Sequence, residues 1–122
     1  MSSDTRSTAW GGLVEQPLIL AVSHRTVDRR ALIDIDGELD MAGSEMLRTA
    51  VLEALEDPDE VDRIEVDTTK VVFVDSAGLN LLLNLQVDAA RVNVALEVAA
   101  VSRSFRRVVE LAGLDDVLLP PP

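Results

Sequence analysis

No cysteine occurs in the 122-residue chain, which removes disulfides, thiolate metal ligands and thiol catalysis together. Tyrosine is also missing, and Trp10, Phe73 and Phe105 are the whole aromatic complement, too few for a platform on which single-stranded bases stack. His24 is the only histidine. No apolar run approaches the roughly 18–20 residues that span a bilayer, and the N-terminus lacks the basic segment and apolar stretch of a secretory leader. Cations are scarce: 11 Lys and Arg face 22 Asp and Glu, for a net charge of −11. Nucleic-acid binding needs concentrated Lys and Arg, and an anionic membrane surface would repel the chain for the same reason. A protein partner with a basic or mixed-charge surface fits better, although acidity also serves solubility alone. A cytoplasmic location suits all of these absences.

What is present suits one domain with a real core. Residues 1–16 are rich in Ser, Thr and Gly without an apolar period, the composition of a flexible arm; residues 17–122 form the folded domain. Trp10, beside Gly11-Gly12, is either a docking anchor or a peripheral residue. Pro120, Pro121 and Pro122 cannot extend a helix or a ladder and end the fold.

Between these ends the element types alternate. Leu18–Val22 and Ala31–Asp36 read as strands joined by the polar segment Ser23–Arg30, an antiparallel hairpin. A helix is expected over Met41–Glu56, with Met46, Leu47, Ala50, Val51, Ala54 and Leu55 as its apolar stripe and Asp40 as its cap. Asp57-Pro58 ends it. Arg63–Asp67 is the third strand, with Val71–Val74 an extended approach to a turn. A second helix is expected over Ala77–Ala90, a fourth strand over Val92–Val98 and a third helix over Arg103–Ala112. Gly113 then stands where a left-handed cap belongs, and Val117–Leu119 reads as a short last strand.

This order implies an α/β domain with a mixed β-sheet and crossover helices. Apolar and polar residues alternate in Ile64-Glu65-Val66-Asp67 and again in Val92–Val98, so the helices should pack mainly on one face; a sheet covered on both faces would show near-continuous apolar runs. Leu18-Ile19-Leu20 is the exception. On the second helix, Leu79, Leu82, Leu83, Val87 and Ala90 line up as a core stripe. Leu81, Leu85 and Ala89 fall on a separate strip, which suits either a partner patch or a wide core contact.

Few residues carry a recognisable chemistry. Val71-Val72-Phe73-Val74-Asp75-Ser76-Ala77-Gly78-Leu79 runs from an apolar strand into a helix, with a hydroxyl at the helix start beside solvent. Ser76 has no nucleophile-elbow context, since Val74 holds the first glycine position of G-x-S-x-G. His24, the one possible base, falls in the polar hairpin segment as a solvated turn residue. There is no Gly-rich phosphate loop with its lysine and no carboxylate cage for a metal, so no cofactor, metal or catalytic residue is assigned. The Asp75 side chain suits a helix cap, and Ser76 is either a second capping group or a site of modification.

Two segments carry a family resemblance. Gly37-Glu38-Leu39-Asp40 and Val72–Leu79, followed by Leu111-Ala112-Gly113-Leu114, resemble the motifs of STAS domains, most closely the bacterial anti-sigma factor antagonists, over about Leu18–Leu119. The resemblance implies a single STAS-like domain without enzymatic activity. It would bind an anti-sigma factor that is also a serine kinase, and so release a sigma factor. The kinase would phosphorylate the serine after the motif aspartate, here Ser76, and a serine phosphatase would reverse the modification. Asp40, Asp75, Ser76, Ala77, Gly78, Leu79, Asn80 and Leu81 are then the expected partner-binding residues, with Ala77 and Gly78 keeping the approach to Ser76 open.

The sequence departs from the family pattern in two places. Ala89-Ala90-Arg91-Val92-Asn93 replaces a Gly-rich turn, and Thr68-Thr69-Lys70 offers alternative phosphoacceptors. Two other readings stand beside the first: a constitutive STAS interaction or scaffold module, and a receiver-like domain phosphorylated on Asp75. The lack of an acidic pair after the first strand counts against the receiver.

Overall fold

The computed structural model describes residues 20–121; the expected arm, Trp10 and the Leu18-Ile19 start of the first strand lie outside them. Four strands form one sheet in the order β1-β2-β3-β4: β1 is Ala21–Val27, β2 Arg30–Leu39, β3 Arg63–Val74 and β4 Ala95–Val101. β1 runs antiparallel to β2, whereas β2–β3 and β3–β4 are parallel. The helices are α1 at Ser44–Leu55, α2 at Ser76–Ala90, α3 at Arg103–Leu111 and α4 at Asp115–Leu118.

The hairpin extends further than its polarity suggests. Asp28 and Arg29 both have positive φ (50° and 67°) and join Val27 to Arg30 in a two-residue turn, the twist that matches two antiparallel strands. The expected loop Ser23–Arg30 is therefore mostly strand. β1 is polar because it is an edge strand with six of its seven residues exposed. The unusual Arg29 backbone is held from outside: Asp62 N–H donates to its carbonyl at 2.9 Å, and its guanidinium meets the Asp62 carboxylate and the Asp59 carbonyl.

Alternation puts the core on one face. Ala31, Ile33, Ile35 and Leu39 of β2, Ile64, Val66, Val71 and Val74 of β3, and Leu96 and Val98 of β4 are buried. The opposite face keeps Asp34 and Asp36 in solvent and carries the ion pairs Arg30–Glu65 (3.2 Å) and Arg63–Glu97 (2.7 Å). Such part-exposed pairs contribute about 0–1 kcal/mol each. The buried face carries the stability.

Several boundaries differ from the expectations. α1 starts at Ser44 with Gly43 as its N-cap, because Asp40 shapes the preceding turn instead. Its Oδ1 accepts from Gly43 N–H at 2.8 Å, and its carbonyl accepts from Ser44 N–H at 2.9 Å. Met46 is exposed, and Leu47, Ala50 and Val51 make the buried stripe. β3 is one continuous twelve-residue strand. β4 begins at Ala95, not Val92, since Asn93 at φ 61° closes the turn after α2 and takes the left-handed conformation usual for glycine.

Gly113 has φ 73°, as expected of a helix stop. The segment after it forms α4 instead of a strand. Asp115 and Asp116 fill the first turn of α4, where carboxylates suit the positive end of the helix, and Leu118 is fully buried.

α2 changes the wheel most. Leu79, Leu81, Leu82, Leu85 and Ala89 are buried, whereas Val87 is 53% exposed and Ala90 lies in solvent. The strip Leu81–Leu85–Ala89 is thus core and offers no partner patch. The helix is apolar on more than one side because it packs on both the sheet and α1.

Candidate functional site at the start of α2

The two sequence motifs meet where β2 and β3 end. These strands are parallel, with Gly37 opposite Val71 and, past a bulge at Val72, Glu38 opposite Phe73 and Leu39 opposite Val74. Gly37 adopts φ 120° beside a register shift in that pairing, a backbone conformation that glycine adopts without strain. Both chains leave the sheet at its C-terminal edge, the end at which α/β folds commonly bind their ligands.

One residue of β2 ties the motifs together. The Leu39 carbonyl accepts from Asp75 N–H at 3.3 Å. The first turn of α2 also presses against Leu39 so closely that a Cβ on Gly78 would lie 2.8 Å from Leu39 Cγ and nearer still to its carbonyl oxygen. Gly78 is buried, so it serves this helix–strand approach and does not hold open the way to Ser76. A glycine in the first turn of an otherwise Leu-rich helix was the available clue to that close contact.

Asp75 is the N-cap. Its backbone is extended (φ −113°, ψ −178°) and its Oδ1 accepts from Gly78 N–H at 2.9 Å; its carbonyl accepts from Leu79 N–H at 3.0 Å. Ser76 takes no part in this cap. The Ser76 side chain is exposed, and its hydroxyl enters none of the hydrogen bonds among the described residues. The amides of Ser76 and Ala77 likewise find no backbone acceptor there, as expected of the first positions of a helix. The result is an exposed hydroxyl beside two free N–H donors at the positive end of a fifteen-residue helix, a setting that favours an anion.

The other expected site residues divide by burial. Asp75 and Ala77 are half-buried and Asn80 is exposed next to Ser76, whereas Leu79 and Leu81 face the core. Asp40 lies across from them in the β2–α1 turn, half-buried. Sequence reasoning missed the apolar rim of this end: Met41, Val72 and Phe73 are 75%, 57% and 47% exposed. Phe73 was in view, but its place in an apolar strand hid its outward orientation.

The remaining candidates lie elsewhere. His24 stands on β1, not in a turn, with its Nε2 3.9 Å from Glu53 of α1. It pairs with Ile33, which is level with Val66, so the length of β3 from Val66 to Val74 separates it from Ser76, roughly 26 Å at about 3.3 Å per residue. Thr68 is fully buried and its hydroxyl donates to the Ala100 carbonyl at 2.8 Å. Thr69 is exposed, its hydroxyl donating to Asp67 Oδ1 at 2.6 Å. Among the described residues no group of three or more His, Asp or Glu is placed to hold a metal ion, and no helix is long and apolar enough to cross a membrane.

The family model described as "Mlab, STAS domain" matches residues 22–120, and the chain belongs to this STAS-domain family. Domains of this kind are binding and regulatory modules, not enzymes. Among solved structures, an anti-sigma factor antagonist from Mycobacterium paratuberculosis is similar at TM-score 0.72 and 23% identity, over 84% of this chain and 86% of that one. The anti-sigma factor antagonist SpoIIAA in its unphosphorylated form is similar at TM-score 0.64 and 24% identity, over 84% and 89%. The phosphorylated form of the same Bacillus protein gives 0.62 and 22%, over 84% and 92%.

The murine anion transporter Slc26a9 contains a similar region, at TM-score 0.65 and 18% identity, over 78% of this chain and 16% of that one. At these identities the likeness is one of fold. A receiver-like domain is thereby overturned: the sheet opens with an antiparallel hairpin at one edge, and the Asp75 carboxylate is engaged as a helix cap.

Proposed function

We propose that this domain is a bacterial, cytoplasmic anti-sigma factor antagonist switched by phosphorylation of Ser76. Unmodified, it binds an anti-sigma factor with serine-kinase activity and so releases a sigma factor; phosphorylation ends the binding, and a serine phosphatase restores it. The observation that carries this reading is the redundancy of the Ser76 hydroxyl. Asp75 alone caps α2, leaving Ser76 exposed at the helix start with no structural duty. The existence of SpoIIAA structures in unphosphorylated and phosphorylated forms on the same fold supports it.

The physical logic is local. A phosphate adds about −1.5 to −2 charges. In the free protein the α2 N-terminus accommodates it, so the fold persists. In a complex, the same charge beside Asp75 and the exposed apolar rim of Met41, Val72 and Phe73 is desolvated and repelled. A loss of about 1.4 kcal/mol weakens binding tenfold. Asp40, Asp75, Ser76, Ala77 and Asn80 are the contact residues of this end, with Gly78, Leu79 and Leu81 supporting it from within.

The test incubates the protein with ATP and candidate anti-sigma factor kinases, maps phosphate by mass spectrometry, and measures binding of wild type, Ser76→Ala and Ser76→Asp. Phosphate on Ser76, persistent binding by Ser76→Ala and at least tenfold weaker binding by Ser76→Asp are expected. Equal binding by Ser76→Asp and wild type, with no phosphate on Ser76, would instead favour a constitutive interaction module. The occurrence of the fold inside an anion transporter supports that second reading.

A further inference from the structure

We propose that Trp10 docks in the groove between β1 and α1, so that the segment before Leu20 folds back along the sheet edge as a strap. The groove has a volume of about 350 Å³. Val22, Met46 and Ala50 form its apolar floor, and Glu45, Thr49, Glu53 and His24 stand around it. It lies where the core is least covered. Val22 is half-buried against the core and Met46 is 45% exposed. β1 is the first strand of the sheet, with no strand beyond it among the described residues. Folded proteins commonly cover such an open edge with a helix or a loop.

The point at which the chain enters the domain selects the occupant. Leu20 is fully buried, and a Cβ on Gly43 would lie 3.0 Å from Leu20 Cβ. Gly43 is the N-cap of α1, so residues 1–19 lead into the domain at the near end of the groove. His24, at the far end, is four residues further along the chain from Leu20, about 13 Å of strand. Trp10 precedes Leu20 by ten positions, a length that reaches up to about 33 Å when extended. That reach covers the groove and the four residues of a reversing turn. Leu18 and Ile19 are too close to Leu20 to turn back.

The groove suits an indole better than Leu13 or Val14, the aliphatic residues of the segment that could also reach it. Tryptophan combines a large apolar ring with one N–H that needs an acceptor when buried. The floor takes the ring, and the Met46 thioether is a favourable neighbour for an aromatic edge. The Glu45 and Glu53 carboxylates and the Thr49 hydroxyl are exposed at the sides, where any one of them can accept from the indole N–H. Gly11-Gly12, next in the chain, lets the backbone of the strap approach β1 closely.

The full chain carries its own probes. Trp10 is the only tryptophan and tyrosine is absent, so tryptophan emission reports position 10 alone. Emission of the folded protein is expected to be blue-shifted from that of the urea-unfolded chain, with acrylamide quenching reduced several-fold. Met46→Glu, at an exposed position, should return both to near the unfolded values while circular dichroism shows the fold intact. With methyl-13C methionine, Trp10→Ala should displace the Met46 methyl resonance and leave that of Met41 in place.

Emission and quenching equal to those of the unfolded chain, or a Met46 methyl indifferent to Trp10→Ala, would overturn the docking. Displacement of the Met41 methyl instead would overturn it as well, since Trp10 would then lie on the rim beside Ser76. A blue shift lost on dilution would assign the groove to the arm of a second copy and sink the intramolecular strap.

Discussion

Replacing Gly78 with alanine separates two opposed effects in a single atom. Alanine is the better helix former by up to about 1 kcal/mol, so a view of α2 as an isolated helix expects stabilisation. The packing of α2 on β2 says the opposite. A Cβ at this position meets Leu39 Cγ at 2.8 Å and Leu39 carbonyl carbon at 3.1 Å, with the carbonyl oxygen closer than either. Two of these three atoms are backbone in the middle of a motif, and the carbonyl also accepts from Asp75 N–H, so the obstacle cannot rotate away.

Overpacking of this kind costs about 1–3 kcal/mol, and the rigid neighbour places it at the upper end. After the helix gain, about 2 kcal/mol of net destabilisation remains. With a urea dependence of about 2 kcal/mol per molar for a domain of this size, the unfolding midpoint falls by on the order of 1 M. Hydrogen exchange at the Asp75 amide should quicken as its bond to Leu39 lengthens. Gly113→Ala is the matched control: its site has nothing within 4 Å but sits at φ 73°, so backbone conformation alone costs it about 1 kcal/mol. A Gly78→Ala protein as stable as wild type, or more so, would refute the close-approach argument.

Other substitutions test the neighbouring inferences. Asp75→Ala removes the cap bond to Gly78 N–H and should cost about 1 kcal/mol by thermal melting, with Asp75→Asn close to wild type. Leu85→Ala, in the strip that the structure buries, should cost about 2–5 kcal/mol, whereas Val87→Ala on the exposed side should stay within about 0.5 kcal/mol; equal effects would contradict the burial of that strip. Thr68→Val strips the buried hydroxyl bonded to Ala100 and should lose about 1–2 kcal/mol in urea unfolding. In kinase assays on the folded protein, phosphate should be absent from Thr68, because its hydroxyl is sealed in the core.

The chemistry of two helix ends was legible because it is written in adjacent residues, although Asp40 proved to shape the turn before α1 instead of capping it. Asp75 before a helix, Gly113 after one and the one-sided alternation of β3 and β4 all follow from short-range rules, and the structure realises each. What was lost depended on distant neighbours. β1 reads as a loop from Ser23 onward because an edge strand has little core to face. Val117–Leu119 has strand-like side chains, yet Leu118 finds its burial through one short helical turn. The strip Leu81–Leu85–Ala89 looked spare on a helical wheel because the wheel does not include α1. The Gly78–Leu39 contact joins positions far apart in sequence, so only the nature of the residue, glycine inside a helix, hinted at it.

That contact gives the start of α2 a foundation no linear peptide possesses. A synthetic Val72–Leu83 fragment would keep Ser76 and its neighbours in sequence but lose the Leu39 carbonyl, Asp40 and Met41, and helices of about a dozen residues are marginal in water by themselves. Any enzyme acting on Ser76 therefore meets a three-dimensional epitope assembled from two distant stretches of chain. Peptide-array screens for such an enzyme would return nothing, and the degree of modification would double as a reporter of how much of the protein is folded.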